Sequence, residues 1–212
     1  MARYTGPVCR LCRQAGEKLY LKGERCYTPR CAIEKRKNPP GDQGANTSRR
    51  RRVSEHGQQL REKQKARNVY GVLERQFSNY VDDATRASGV TGEELMGALE
   101  RRLDNVVYRF AFADSRKQAR QLVRHGHFQV NGRRVDIPSF TVKPGDVVAW
   151  QEKSRDTEIY KVMKETLPKR AVPGWLQLDA ENARGTVHSL PTQADIDTKI
   201  ETRLIVEYYS RR

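Results

Sequence analysis

The sequence predicts an α+β fold in which helices pack on an antiparallel sheet, and three observations carry that prediction. Between Leu73 and Val123 apolar residues recur at three- and four-residue spacing, the mark of amphipathic helices. From Phe128 the period changes to two, with Asn131-Gly132 between the alternating runs, the strongest short signal for a hairpin. Ahead of both, all four cysteines lie within the first 31 residues, in a segment too poor in apolar residues to fold by burial alone.

The chain has 212 residues, and its 41 Lys or Arg outnumber 26 Asp or Glu, a formal net charge of +15. That length holds one sizeable domain or two to three small ones. Charge of this size raises self-repulsion unless something neutralises it, so a polyanionic partner is expected, nucleic acid ahead of a membrane surface. No apolar run approaches the ~20 residues of a bilayer span. The opening Met1-Ala2-Arg3-Tyr4 lacks the apolar core of a signal peptide, so a cytoplasmic location without a membrane partner is expected. Charged residues at 32% nearly match the hydrophobic set at 36%, which predicts segments that order fully only against a partner.

Taken in order, Cys9, Cys12, Cys26 and Cys31 have two, thirteen and four residues between successive members. Two close pairs separated by a short excursion let four thiolates converge tetrahedrally. One structural zinc ion is expected there, with an iron–sulfur cluster on the same four cysteines as the alternative. Four thiolates leave no open position for catalysis, and a reducing cytosol disfavours disulfides. Arg3, Arg10, Arg13, Lys18, Lys22, Arg25 and Arg30 make this knuckle basic, while Tyr4, Tyr20 and Tyr27 offer ring faces either to bases or to the knuckle's own packing.

From Lys35 to Arg67 eleven Lys or Arg meet three acids, concentrating a net +8 in 33 residues. Pro39-Pro40-Gly41 and Gly44 break any early helix, leaving an irregular arm with Arg49, Arg50, Arg51 and Arg52 suited to phosphates. Between Gln58 and Asn68 the residues are helix formers with few apolar side chains, a polarity expected to be explained by a partner surface. Leu73, Phe77, Tyr80, Val81 and Ala84 mark an ordinary core helix ended by Gly89. Thr91 and Glu94 set up a cap for the next, whose stripe Leu95, Leu99, Leu103, Val106 and Phe110 runs unbroken.

Ser115 caps a further helix with Gln118 three residues on, Ala119, Leu122 and Val123 form its buried stripe, and Gly126 closes it. Arg116, Arg120 and Arg124 recur every fourth residue with Lys117 and Gln121 beside them, so a cationic ridge is expected along one side. Like charges so spaced repel by roughly a few tenths of a kcal/mol per pair, and an anion lying against the ridge is the expected compensation. Phe128 and Val130 alternate before the turn, Val135 and Ile137 after it, and Arg133 and Arg134 sit beside it. Lys143-Pro144-Gly145-Asp146 is a turn ahead of a buried strand from Val147 to Trp150. Ile159, Val162, Met163 and Leu167 mark a short helix stopped by Pro168. Trp175, Leu176 and Leu178, then Thr186, Val187 and Leu190, read as strands extending the sheet, and Leu204, Val206 and Tyr208 as one more. From Trp175 onward five Lys or Arg meet six acids, a net of −1, so this part is expected to meet protein or solvent.

Three runs carry a resemblance. Arg102-Leu103-Asp104-Asn105-Val106-Val107-Tyr108-Arg109, Ser115-Arg116-Lys117-Gln118-Ala119-Arg120-Gln121-Leu122-Val123-Arg124-His125-Gly126-His127 and Val130-Asn131-Gly132-Arg133-Arg134-Val135 resemble the small RNA-binding module named after bacterial ribosomal protein S four. One departure is Ala111, where that family usually has glycine. The likeness extends through Gly6-Pro7-Val8-Cys9-Arg10-Leu11-Cys12-Arg13, Leu60-Arg61-Glu62-Lys63-Gln64-Lys65 and the closing Leu204-Ile205-Val206-Glu207-Tyr208-Tyr209-Ser210, so the whole chain is similar to the S four family and to its four-cysteine, metal-binding subgroup. The resemblance implies a structural protein of the small ribosomal subunit, a primary binder of the 5′ domain of 16S rRNA that nucleates assembly and influences decoding accuracy. It also implies neighbours among small-subunit proteins, notably S five and S three, and a place near the mRNA entrance.

Three domains are expected: knuckle and arm over 1–45, a helical domain over 46–95 joined by part of 190–212, and the RNA-binding module over 96–190. The expected RNA contacts are Arg49 to Arg52, Arg61, Lys63, Lys65, Arg67 and Tyr70, then Arg102, Arg109, Ser115, Arg116, Lys117, Arg120, Gln121, Arg124, His125, His127, Asn131, Arg133 and Arg134. The alternatives are an RNA-modifying enzyme or a heat-shock RNA binder built on the same module. Knuckle, arm and module leave no stretch long enough for a catalytic domain, and no nucleophile with a paired base stands out, so no enzymatic activity is expected.

Overall fold

A computed structural model describes residues 3–36, 38–41, 53–167, 171–196 and 199–211. Arg49 to Arg52 and Pro168 lie outside them. The chain divides into two compact units, one formed by 1–95 with 198–212 and the other by 96–197.

The first unit holds helices α1 (Cys9–Ala15), α2 (Ala32–Lys35), α3 (Glu55–Tyr70), α4 (Glu74–Arg86), the first half of α5 (Thr91–Glu100) and α9 (Thr202–Ser210). Ser54 caps α3 by accepting from Gly57 N–H at 3.2 Å. The polar face of α3 is covered by the chain itself rather than by an outside partner, which corrects the sequence reading: α9 packs along it. Gln59, Lys63, Lys65 and Tyr70 are consequently buried. α9 is also a correction in kind, because a strand was expected. The run Leu204-Ile205-Val206 satisfies period two and period 3.6 alike, and tertiary packing decides: Ile205 is fully buried, the Tyr209 hydroxyl donates to Glu74 at 2.9 Å, and the Tyr208 ring lies 4.5 Å from the Lys63 ammonium.

The second unit contains α6 (Leu103–Arg109), α7 (Arg116–Arg124), α8 (Glu158–Thr166) and an antiparallel sheet of five strands, β1 (Phe128–Val130), β2 (Arg133–Arg134), β3 (Val147–Trp150), β4 (Leu176–Asp179) and β5 (Arg184–Val187), in the order β2-β1-β3-β5-β4. The late strands extend the sheet as expected, with Val148 opposite Gly185 and Leu178 opposite Gly185 on its other side. Asn131 and Gly132 have φ of 50° and 78°, the positive pair that a type I′ hairpin turn demands. β2 is shorter than the alternation predicted, and Ile137 and Leu190 are exposed. α8 turns Tyr160, Met163 and Leu167 inward and leaves Ile159 and Val162 outside, since spacing of three and four places the former on one stripe.

A relay of rings fills this core: Phe110 to Phe112 at 5.5 Å, Phe112 to Phe128 at 5.9 Å, Phe128 to Trp150 at 4.7 Å and Trp150 to Tyr160 at 5.4 Å between centroids. The unbroken stripe from Leu95 to Phe110 is interrupted at Arg101 and Arg102. There the loop before β3 supplies acceptors, Phe140 O to Leu103 N–H at 2.8 Å and Pro138 O to Asp104 N–H at 3.1 Å. The chain thus restarts as α6 with its first amides satisfied. Ala111, standing where glycine is usual in the resembling family, has φ 61°, the conformation that glycine tolerates best.

Candidate nucleic-acid interface

Arginines dominate α6 and α7, and the structure sorts them into two classes. Glu100, fully buried at the end of α5, accepts from Arg109 Nε at 2.9 Å and Nη2 at 2.8 Å, a bidentate pair, and from Asn105 Nδ2 at 2.6 Å. Asp104, at the start of α6, accepts from Arg102 Nε at 3.1 Å and Nη2 at 2.8 Å and from Arg120 Nη1 at 3.0 Å. Arg116 Nε donates to Asn105 Oδ1 at 2.7 Å, and its guanidinium lies 4.6 Å from the Tyr108 ring centre. Taking a guanidinium and a carboxylate out of water costs several kcal/mol for each, and forked geometry with added hydrogen bonds offsets it. This network fastens α7 to the end of α5 and to α6.

The ridge expected along α7 therefore needs correcting. Arg120 is buried at 7% exposure, as are Arg102 at 0% and Arg109 at 5%, and Arg116 is half-buried. Period four places Arg116, Arg120 and Arg124 in one row, but that row faces the protein's own acids for most of its length. The signal missed was Glu100 and Asp104, two acids in an arginine-rich stretch that each supply a counter-charge to the guanidiniums around them.

What remains outside is Lys117, Gln121 and Arg124 on α7, His125 just past it, and Arg133 and Arg134 on β2, all exposed. Ser115 accepts from Gln118 N–H at 3.3 Å as the cap, while the Gln118 side chain accepts from Asp114 N–H at 2.8 Å. At the other end Gly126 takes φ 75° and the Arg134 guanidinium lies against it, where a Cβ would displace it. The hairpin arginine is thereby laid beside the end of α7. His127 is half-buried, with Nδ1 2.9 Å from Ser154 Oγ. Burial pushes its imidazole below the ordinary range, and the positive charge of His125 and Arg134 adds to that. Asn131 is committed to the fold: its Nδ2 donates to Asp146 at 2.8 Å and its Oδ1 accepts from Val147 N–H at 2.9 Å, pinning the hairpin to β3.

In the helical unit Arg61 is exposed and Arg67 half-buried, bonded to Glu74 at 3.1 Å. Lys63 donates to Glu74 at 2.7 Å, and Lys65 pairs with Glu17 at 2.7 Å. Burial alone would lower the Lys65 ammonium, but its bond to Glu17 and the charges of Glu62 and Glu17 outweigh it and hold the group above its usual value. For Glu74 burial is likewise outweighed, by Lys63, Tyr209 and Arg67, and its carboxyl sits low. Lys63, Lys65 and Tyr70 are thus buried within the unit.

In the knuckle Cys12, Cys26 and Cys31 are buried and Cys9 half-buried, all as free thiols. Burial raises the Cys12 thiol against an opposing backbone N–H from Leu19, and the charges of Cys26, Cys9 and Cys31 add to the rise. Lys22 N–H points to Cys26 Sγ at 3.4 Å. Among the described residues no three His, Cys, Asp or Glu side chains stand at metal-site geometry. Backbone amides on buried sulfur are nonetheless what a thiolate donor set needs.

Residues 3–100 match the family model described as the ribosomal protein S4/S9 N-terminal domain, and residues 101–148 match the S4 domain. The chain is 56% identical over 211 residues to the small ribosomal subunit protein uS4 of Pelotomaculum thermopropionicum, 59% over 213 residues to uS4A of Symbiobacterium thermophilum, and 54% over 211 residues to uS4 of Thermus thermophilus, each alignment covering 100% of both chains. End-to-end identity at this level, together with a helical unit followed by a five-stranded module whose α7 and hairpin carry the exposed cations, establishes that the chain belongs to the uS4 family of small ribosomal subunit proteins.

Proposed function

We propose that this chain is a structural constituent of the small ribosomal subunit that binds 16S rRNA within its 5′ domain, nucleates assembly there and so influences translational accuracy. The observation that carries the reading is the set of exposed cations Lys117 and Arg124 on α7 and Arg133 and Arg134 on β2, with α7 itself fastened through Arg120 to buried Asp104. Cations carried on an ordered helix and hairpin meet folded RNA without first losing backbone freedom, and phosphate neutralisation supplies most of such affinity. Full-length identity to proteins named as small-subunit constituents supports the same reading over an RNA-modifying enzyme or a heat-shock RNA binder. Work on a ribosome places the chain in the cytoplasm, and among the described residues no helix is long and apolar enough to cross a membrane. The near-neutral last 38 residues, with a net of −1 from Trp175 on, suit protein neighbours such as S five and S three, and mRNA near its entrance is the remaining partner.

Cys9, Cys12, Cys26 and Cys31 would hold one zinc ion, which stiffens a knuckle that has little apolar interior. Elemental analysis with an optical spectrum tests this: a colourless protein with one zinc per chain is expected, whereas colour indicates an iron–sulfur cluster.

For RNA binding, the test is the affinity for a transcript of the 16S 5′ domain across a salt series. Changing Lys117, Arg124 and Arg134 together to Gln is expected to flatten the slope of log affinity against log salt by about three units, close to one per lost phosphate contact. An unchanged slope, or equal affinity for an unrelated RNA of the same length, would overturn the proposal.

A further inference from the structure

Two tyrosines lie stacked at the surface of the N-terminal unit. The rings of Tyr20 and Tyr27 have centroids 4.9 Å apart and planes inclined by 29°. Tyr27 is 70% exposed and Tyr20 39%. The segment has an interior of its own in Val8, Leu19, Leu21 and Ile33, all buried, while the pair stands at the surface.

The backbone adds a second observation. Tyr20 has φ 49°, a left-handed conformation that bulky residues rarely adopt and that persists where the surroundings enforce it, commonly at binding sites. Charge adds a third. Residues 3–36 hold nine Lys or Arg against three acids, and the 3-10 turn Gly23–Cys26 between the two tyrosines carries exposed Glu24 and Arg25, with exposed Lys22 just before it.

Exposed stacked rings flanked by cations are the arrangement that receives a nucleic-acid base with its neighbouring phosphates. We propose that Tyr20 and Tyr27 form a stacking platform for one unpaired base of an RNA strand, with Lys22 and Arg25 neutralising the phosphates on either side. The proposal rests on the reading of this chain as a binder of ribosomal RNA. It adds a contact of a different physical kind, because stacking is apolar and independent of salt while the α7 and hairpin contacts are ionic.

The experiment compares the full metal-loaded chain with its Tyr27→Ala and Tyr27→Phe variants against the 16S 5′-domain transcript over a salt series. Tyr27→Ala is expected to weaken binding by roughly 5- to 150-fold, the range that loss of one stacked base gives. The same factor should appear at every salt concentration, so the slope stays put, and Tyr27→Phe should bind like the wild type. Unchanged affinity in Tyr27→Ala, a changed slope, or equal loss in Tyr27→Phe overturns the platform while wild-type binding leaves the rRNA reading standing. Failure of the wild type to bind overturns both. Ultraviolet crosslinking of the wild-type complex gives an answer that does not depend on how a variant folds: a nucleotide attached to Tyr20 or Tyr27 is expected, and attachment only elsewhere refutes the platform.

Discussion

Glu100→Gln offers the sharpest probe of the buried network. The wild-type carboxylate accepts both forks of Arg109 and the Asn105 amide, with Arg116 Nη2 4.0 Å away. A glutamine keeps the volume but removes the charge and turns an NH2 donor towards a guanidinium donor, leaving Arg109, 5% exposed, without its counter-charge. Breaking one side of a buried ion pair costs about 3–5 kcal/mol. With a urea dependence of ~1–3 kcal/mol per molar, the midpoint should fall by about 1 M or more. Fluorescence isolates the relevant unit, because both tryptophans of the chain, Trp150 at 0% and Trp175 at 2% exposure, lie in its core. The control is Glu158→Gln, whose pair with Lys161 at 2.8 Å is open to water and should leave the midpoint in place. If Glu100→Gln moves the midpoint no further than Glu158→Gln, the network does not hold α7 and the reasoning fails.

Three further outcomes are expected. Ala111→Gly should raise stability by about 0.5–1 kcal/mol, since relief of a left-handed alanine exceeds the added freedom of the unfolded glycine, and a loss in the same urea assay would contradict it. Because His127 is held below its ordinary value, the unfolded chain takes up that proton first. Its contribution to stability is thus present above the unfolded imidazole pKa of about 6.5 and lost as pH falls through the folded value; Trp150, with its ring 5.9 Å from His127, reports the transition, and His127→Gln should abolish that part of the pH dependence. Chelation of the zinc proposed for Cys9, Cys12, Cys26 and Cys31 should unfold the first 31 residues or so and leave the tryptophan-reported transition of the other unit where it was, a shift of that transition being the contrary result.

How much was legible in the sequence depended on whether a pattern had one physical solution. Asn131-Gly132 admits one tight turn, and the hairpin formed on it; Ser115 with Gln118 marked the start of α7 for the same reason. Leu204 to Tyr209 admitted two periods, and only the polar flank of α3 chose between them. The arginines were the hardest case. Guanidinium spacing identifies a row on a helix, yet whether that row meets solvent or a carboxylate depends on Glu100 and Asp104 arriving from another helix and from the restart of the chain after Arg102. Lys63 and Lys65 pose the same difficulty, since long cationic side chains bury their stems and carry their own counter-ions with them. The exposed residues Lys117, Arg124, Arg133 and Arg134 could be named from sequence, but not separated from their buried neighbours.

Residue-resolved chemical protection tests the division between cations that build the fold and cations that meet RNA. Lys and Arg side chains are modified in the free chain and in its complex with the 16S 5′-domain transcript, then mapped by mass spectrometry. Lys117, Arg124, Arg133 and Arg134 should react when free and be shielded in the complex, Arg102, Arg109 and Arg120 should resist reagent in both, and Lys161 and Arg184 should react in both. Shielding of Lys161 and Arg184 with Lys117, Arg124, Arg133 and Arg134 left open would contradict the account.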